Sequence, residues 1–433
     1  MFPSIQNLKD RSLRLWSETS SEFPDTDVRY SAGQQIQKEK NIDRLMQCMD
    51  DSTQVMKTSK DDKNGKSDEA KSQIQNSIIK LLHSFDCPID DKMEKRFFKT
   101  TDDFIKRAYM FDPKISKEAV YQASRNVLIM NTFQMYLGKE ITITPSVFAY
   151  SMLYPYTDNY VDAVEIDAGT KREANERLAL RLMGISANGR NRHERTIHRL
   201  IEMIEREFDR NKYPDVFESL LAIHNAQCRS VLQQAGCDAN SLDDLLDISV
   251  DKGGTSVFAD GYLVAGDLSA EDAEFFFHFG VLLQLIDDLQ DLKEDSLHSH
   301  RTLLGDAAKK EFLDHVTNRL FAFMAKMMRL VHPIRSHEQR QIRELIERSC
   351  RLLILEAIAC NYHYYSDAYL HAIERTSPVR FEYLSRVQKR MKENSPAPEP
   401  GEKTDMLELL RGDSSLEAGR LGALRFQDAC IQH

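Results

Sequence analysis

An all-α fold, a single large helical bundle, is what this 433-residue sequence predicts, on three observations. Apolar residues recur at three- and four-residue spacing through most of the chain, the period of a buried helix face. Alternating apolar runs joined by Asn-Gly or Asp-Gly turns, the mark of β-hairpins, are nearly absent. With 17 Gly and 12 Pro the chain is poor in the residues that dominate collagen, β-propellers and wholly disordered sequences.

Taken in order, residues 1–75 are polar and predict an extension outside the helical body. Within it, Lys57–Ser72 (KTSKDDKNGKSDEAKS) offers almost nothing to bury and is expected to be a disordered loop. Helical periods follow through Ile78–Phe85, Phe97–Phe111, Ala119–Leu137, Val147–Val164, Arg172–Met183 and Thr196–Phe208. They continue through Val216–Ala235, Leu242–Val264, Ala270–Leu292, Glu311–Val331 and Ile342–Tyr369, with Glu140–Thr144 as a short link. Residues 76–392 are therefore expected to form the body. From residue 393 a Pro/Glu linker (SPAPEPGEKTD) leads into a flexible tail running to His433. No repeat of fixed period is present, which disfavours a solenoid.

The formal net charge is −10, and no Lys/Arg block is long enough to neutralise a run of phosphates, which argues against nucleic-acid binding. No window reaches the ~18–20 apolar residues of a membrane span. Met1–Trp16 interleaves charged and apolar residues, unlike a signal peptide. A soluble, cytoplasmic protein is the expectation. The seven cysteines (Cys48, Cys87, Cys228, Cys237, Cys350, Cys360, Cys430) are scattered without a CxxC pair, so reduced thiols are expected rather than a disulfide framework or a zinc ribbon.

The chemistry-bearing residues are acidic ones set inside apolar helices. In YPYTDNYVDA, Asp158 and Asp162 lie four apart and share a helix face, with Asn159 beside them. In FGVLLQLIDDLQDLKED, Asp287, Asp291 and Asp295 step by four, Asp288 adds a neighbour, and Gln284 lies one turn back. Such rows ordinarily mark a solvated face, but the second follows GVLLQLI, a run that reads as buried. Like charges at this spacing repel, and a buried carboxylate is costly unless paired or metal-bound. Mg²⁺ is the economical counter-ion, since it takes oxygen ligands and shares them with substrate phosphates. Between the clusters, Lys252-Gly253-Gly254-Thr255-Ser256 is expected to break its helix and offer backbone N–H groups, Lys252, Thr255 and Ser256 to an anion.

These motifs resemble the class I isoprenoid synthase superfamily: trans-prenyl diphosphate synthases, squalene/phytoene synthases and class I terpene cyclases. Gln284-Leu-Ile-Asp287-Asp288-Leu-Gln-Asp291 is similar to the QxxDDxxD second motif of prenyl synthases, and Lys252 with Thr255 to their lysine–threonine segment. Gln284, Asp291, Glu294 and Asp295 also fit the second motif of squalene/phytoene synthases, and the 287/291/295 ladder has the spacing of the cyclase NSE triad. Asp158-Asn159-Tyr160-Val161-Asp162 corresponds to the first motif in a DxxxD form. The paired arginines of chain-elongating enzymes do not follow it, nor does a GGKRxRP-like element precede it, which favours an enzyme acting on one prenyl diphosphate.

The resemblance implies a cyclase related to the bacterial large-terpene synthases. Several Mg²⁺ ions would be held by Asp158, Asn159, Asp162, Asp287, Asp288, Asp291 and Asp295, with Asp158, Asp162, Asp287 and Asp291 catalytic. The diphosphate would meet Lys252, Thr255, Gln284, Arg177 and Arg301, and the carbocation an aromatic wall drawn from Phe148, Tyr154, Phe258, Phe276, Phe279 and Tyr365. A prenyltransferase, elongating or head-to-head, and a non-catalytic helical partner of a synthase are the alternatives. Dimers are common in the superfamily, and the sequence leaves the oligomeric state open. His193-Glu194-Arg195-Thr196-Ile197-His198 is HExxxH, one residue too long for the zinc-protease motif, and both histidines are expected at the surface.

Overall fold

The computed structural model describes residues 4–394, apart from 27, 59–65, 87–89, 163–165, 234–240 and 331–335. The described residues form helices and short turns, with no β-strand among them. In order these are α1 (Ile5–Ser17), α2 (Ala32–Thr58), α3 (Lys66–Ser84), α4 (Asp91–Phe111), α5 (Lys117–Tyr136) and α6 (Pro145–Asp162). Then come α7 (Ala168–Leu182), α8 (Arg192–Glu207), α9 (Pro214–Ser230), α10 (Leu242–Ala265), α11 (Ala270–Gln290) and α12 (Leu292–Leu297). The last are α13 (Leu303–Ala308), α14 (Asp314–Arg329), α15 (His337–Cys360), α16 (Asp367–Glu374) and α17 (Phe381–Asn394). The tail expected from residue 393 lies, from 395 onward, outside the described residues.

The bundle is built around the antiparallel pair α10 and α11. α10 opens with a capping box, in which Ser241 Oγ accepts from the Asp244 N–H and the Asp244 carboxylate accepts from the Ser241 N–H. It ends at Gly266, whose φ of 79° suits glycine. A Cβ there would also come within 2.8 Å of Phe208. α11 is buried on nearly every side from Ala273 to Leu289, the pattern of a helix at the centre of a large core.

The expected break at Gly253-Gly254 does not occur: α10 is continuous from Leu242 to Ala265. The glycines serve packing instead. A Cβ on Gly280 would lie 2.0 Å from the Gly253 carbonyl oxygen, and one on Gly253 would lie 2.5 Å from that of Gly280. A Cβ on Gly254 would strike the Phe277 ring at 2.4 Å. The propensity cost of two glycines, about 1 kcal/mol each, is offset by backbone-to-backbone contact of two buried helices.

The N-terminal region also departs from its composition. α1 buries Leu8 and Trp16 in the same core as α10, α11 and α14, and Ser12 Oγ lies 2.6 Å from His278 Nδ1 of α11. α2 contributes Ile42, Met46 and Met49 to that core and is tied to the start of α17 through Glu39 and Arg380. The expected loop Lys57–Ser72 is helical at both ends, belonging to α2 up to Thr58 and to α3 from Lys66, with Ala70 buried. Its middle, 59–65, lies outside the described residues. Ile342–Tyr369, expected as one helix, ends at Cys360 and resumes as α16 after a short 3-10 turn. Cys48, Cys228, Cys350 and Cys360 are free thiols. No helix among the described residues is long and apolar enough to cross a membrane.

Asp260 of α10 is fully buried against Asn126 of α5, and burial pushes its carboxyl well above the usual aspartate range. A carboxyl raised in the folded state costs stability as pH climbs past its unfolded value. Asp260→Asn should therefore raise the Tm near pH 7.5 by about 2 °C or more and leave it almost unchanged near pH 4. Thermal melts at the two pH values check this.

Candidate active site

The second aspartate cluster stands where α11 ends. Asp287 lies in its last turn, Asp291 closes it and opens α12, and Asp295 lies on α12. The ladder is therefore bent at Asp291 rather than carried by one straight helix. Asn361, which caps α15, donates from Nδ2 to the Leu289 carbonyl (2.9 Å) and satisfies one of the orphan carbonyls at the α11 terminus. The His300 N–H bonds the Asp295 carbonyl (2.8 Å), folding the following loop back on α12.

Asp288 faces inward. It accepts from Ser249 Oγ of α10 (2.9 Å) and from Gln284 Nε2 (2.9 Å), so it is a structural carboxylate gripped by two donors. Gln284 also reaches Asp287 at 3.4 Å, while its own Oε1 is buried with no hydrogen-bond partner. Asp287 touches solvent along one edge but is enclosed by protein on most sides. Burial, then Asp291, hold its carboxyl well above the usual range, with Lys252 opposing. Burial, followed by Asp288 and Asp291, pushes Asp295 up to about 7. Asp288 is also raised, by burial, against the pull of its two hydrogen bonds and Lys252.

Lys252, on the unbroken α10, lies near enough to the ladder to oppose the raised carboxyls of Asp287, Asp288 and Asp295. One turn earlier is a network that sequence reasoning missed. Lys9 of α1, almost fully buried, pairs with Asp247 (2.9 Å) and Asp251 (3.3 Å), and Arg229 of α9 pairs with the same two at 2.6 and 2.9 Å. Asp247, Asp251 and Lys252 share one helix period, but nothing in the sequence couples them to residues 9 and 229.

Several expected contacts are placed elsewhere. Arg177 is clamped to Glu194 by two bonds (2.9 and 2.8 Å) with Glu173 beside it, and Arg301 is paired to Asp306 at 2.7 Å. Each guanidinium is committed to a protein carboxylate rather than offered to a diphosphate. Thr255 turns its hydroxyl back onto the Asp251 carbonyl (2.7 Å). Phe258, Phe276 and Phe279 are core residues: Phe258 packs on Tyr262 and Phe277, and Phe276 and Phe279 on Phe133. Phe148 packs between Phe104 and Phe111, and Tyr365 stacks on Tyr369 with its hydroxyl on Thr317. Tyr154 is half-buried on α6. Nor is His193 a surface residue, since its ring stacks on Tyr160 at 4.7 Å and burial lowers its proton affinity. His198 is partly buried and likewise lowered.

Asp158, Asn159 and Asp162 belong to the end of α6, and their side chains lie outside the described residues. The oxygen donors of the ladder, the mutual repulsion of its carboxylates and the orphaned Gln284 Oε1 fit a hard divalent cation. Among the described residues, however, no three His, Cys, Asp or Glu side chains converge closely enough to hold a metal. The ladder is one wall of such a site at most.

Among solved structures, a geranylgeranyl pyrophosphate synthase is similar at 15% identity and a TM-score of 0.30, over 81% of this chain and 98% of that one. A likeness that weak bears on neither fold nor activity. No protein-family model matches the chain, and no curated protein does.

Proposed function

We propose that this protein is a Mg²⁺-dependent class I terpene synthase, which ionises a linear prenyl diphosphate, cyclises the resulting carbocation and releases diphosphate. The observation that supports it is the excess of acidic oxygens at the end of α11, with Asp287, Asp291 and Asp295 close enough to act on one another and Lys252 near enough to oppose their charge. Bound Mg²⁺ supplies neutralisation of the leaving group's charge. On this reading Asp287, Asp291 and Asp295 hold it from one wall, and Asp158 and Asp162 at the end of α6 from the other.

The chain's own residues do the rest. Lys252 pairs with the diphosphate. Asp288, fixed by Ser249 and Gln284, keeps the last turn of α11 in register, so its part is positioning. The apolar mass of α10 and α11 keeps water from the reacting end of the substrate.

The test is incubation of the pure protein with Mg²⁺ and geranyl, farnesyl, geranylgeranyl or longer diphosphates. Terpene product without isopentenyl diphosphate is the expected result, and chelation of the metal should cut it by about 10³-fold or more. Elongation seen only with isopentenyl diphosphate would replace this reading with a prenyltransferase. Release of no diphosphate from any of them would leave a helical binding protein.

A further inference from the structure

A second cleft, independent of the aspartate ladder, lies between the extended segment that follows α1 and helices α14 and α15. It encloses about 700 Å³ and shares no residue with the ladder, a volume suited to a small molecule. The segment is strapped in place. Asn318 Nδ2 donates to the Ser21 carbonyl (3.0 Å), Lys326 Nζ to that of Glu18 (2.7 Å), and the Tyr30 N–H to that of Arg375 (2.8 Å).

The lining of the cleft mixes apolar side chains with four cations, Lys326, Arg329, Arg348 and Arg351. Phe85, Phe321, Met324, Leu352 and Leu355 line it. Its acidic residues Glu22, Asp25, Glu344 and Glu347 are exposed at the rim, and Asp86 is neutralised by Lys38 (2.8 Å). Arg351 is different. Its guanidinium lies over the Phe321 ring at 5.5 Å, and its Nη2 is buried with no hydrogen-bond partner. Close to it, the Tyr369 hydroxyl is also buried and unpartnered. A largely enclosed guanidinium that no carboxylate contacts, with Glu347 acting on it only through space, is costly, and its planar fork matches a phosphate or carboxylate.

We propose that this cleft binds an amphipathic anion, a single apolar chain whose phosphate or carboxylate head pairs with Arg351 while its tail lies along α14 and α15. The proposal does not depend on the terpene synthase reading. The readouts are the Tm and the fluorescence of Trp16, the sole tryptophan, which packs on Phe323 of α14 at 6.0 Å.

The full-length protein, free of Mg²⁺, is titrated below the micelle threshold with dodecyl phosphate, dodecanoate, dodecanol and inorganic phosphate. The two amphipathic anions are expected to bind at least about tenfold tighter than dodecanol or inorganic phosphate, and which head binds tighter separates a phosphate from a carboxylate ligand. Arg351→Met should weaken both anions by about tenfold or more without lowering the Tm of the free protein, and Arg351→Lys should weaken them less. Asp287→Ala/Asp291→Ala should leave this binding intact. Dodecanol binding as tightly as dodecyl phosphate, full affinity in Arg351→Met, or no binding of any probe would each overturn the proposal. The head-group comparison uses the unaltered chain, so it decides even where Arg351→Met fails to fold.

Discussion

Asp287→Ala/Asp291→Ala is expected to lose at least about 10³-fold in turnover of a prenyl diphosphate, the scale on which preorganised charge stabilisation is removed. The fold should survive and its Tm near neutral pH should rise, because the variant removes the Asp287 carboxyl, which the native state holds above its ordinary range, and relieves Asp295 of the Asp291 charge. The sign follows from linkage. A carboxyl raised on folding is harmless below its unfolded value of about 4 and costs stability as pH climbs from there toward the folded value. For Asp295 that window runs up to about 7. Wild-type stability should therefore fall across the window more steeply than that of the double variant, in which Asp295 has lost the Asp291 charge. Turnover at the wild-type rate would end the metal assignment, and a lowered Tm would make the ladder an element of stability.

Gly280→Ala should be the most damaging single methyl in the molecule. With the Gly253 carbonyl oxygen 2.0 Å from the new Cβ, either α10 and α11 separate or their backbones distort. Overpacking ordinarily costs ~1–3 kcal/mol, and here the obstacle is backbone rather than a side chain able to swing away, so about 3 kcal/mol or more is expected. Gly33→Ala is the control. Nothing lies within 4 Å of a Cβ there, and on α2 the change should be neutral or stabilising by up to about 1 kcal/mol. Denaturant melts of both variants make the comparison, and a Gly280→Ala protein as stable as wild type would mean the helices are not in backbone contact.

The legibility of this protein divides along physical lines. α10 and α11 were readable because burial on all sides writes itself as an uninterrupted apolar run, and the aspartates at the end of α11 stand out against it. Gly253 and Gly254 misled because propensity is local, whereas their roles depend on Gly280 and Phe277, 27 and 23 positions away and on another helix. α1 and α2 were hidden for a different reason. Each buries only a narrow stripe, such as Leu8 and Trp16 or Ile42, Met46 and Met49, amid residues that face water. The arginines and aromatics failed as site residues through partners the sequence does not couple to them: Glu194 for Arg177, Asp306 for Arg301, Phe133 for Phe276 and Phe279.

The docking of α1 has a consequence for how the chain is made. Its main partners are α10, α11 and α14, none of which begins before residue 242. A helix of 13 residues is marginal alone in water, and synthesis proceeds at ~5–20 residues per second. For ten seconds or more by that rate, Leu8 and Trp16 leave the ribosome with nothing to pack against. The N-terminal helix is thus a late closure on an assembled bundle, and nascent chains arrested before α10 should display a solvent-exposed Trp16 emission that full-length protein lacks.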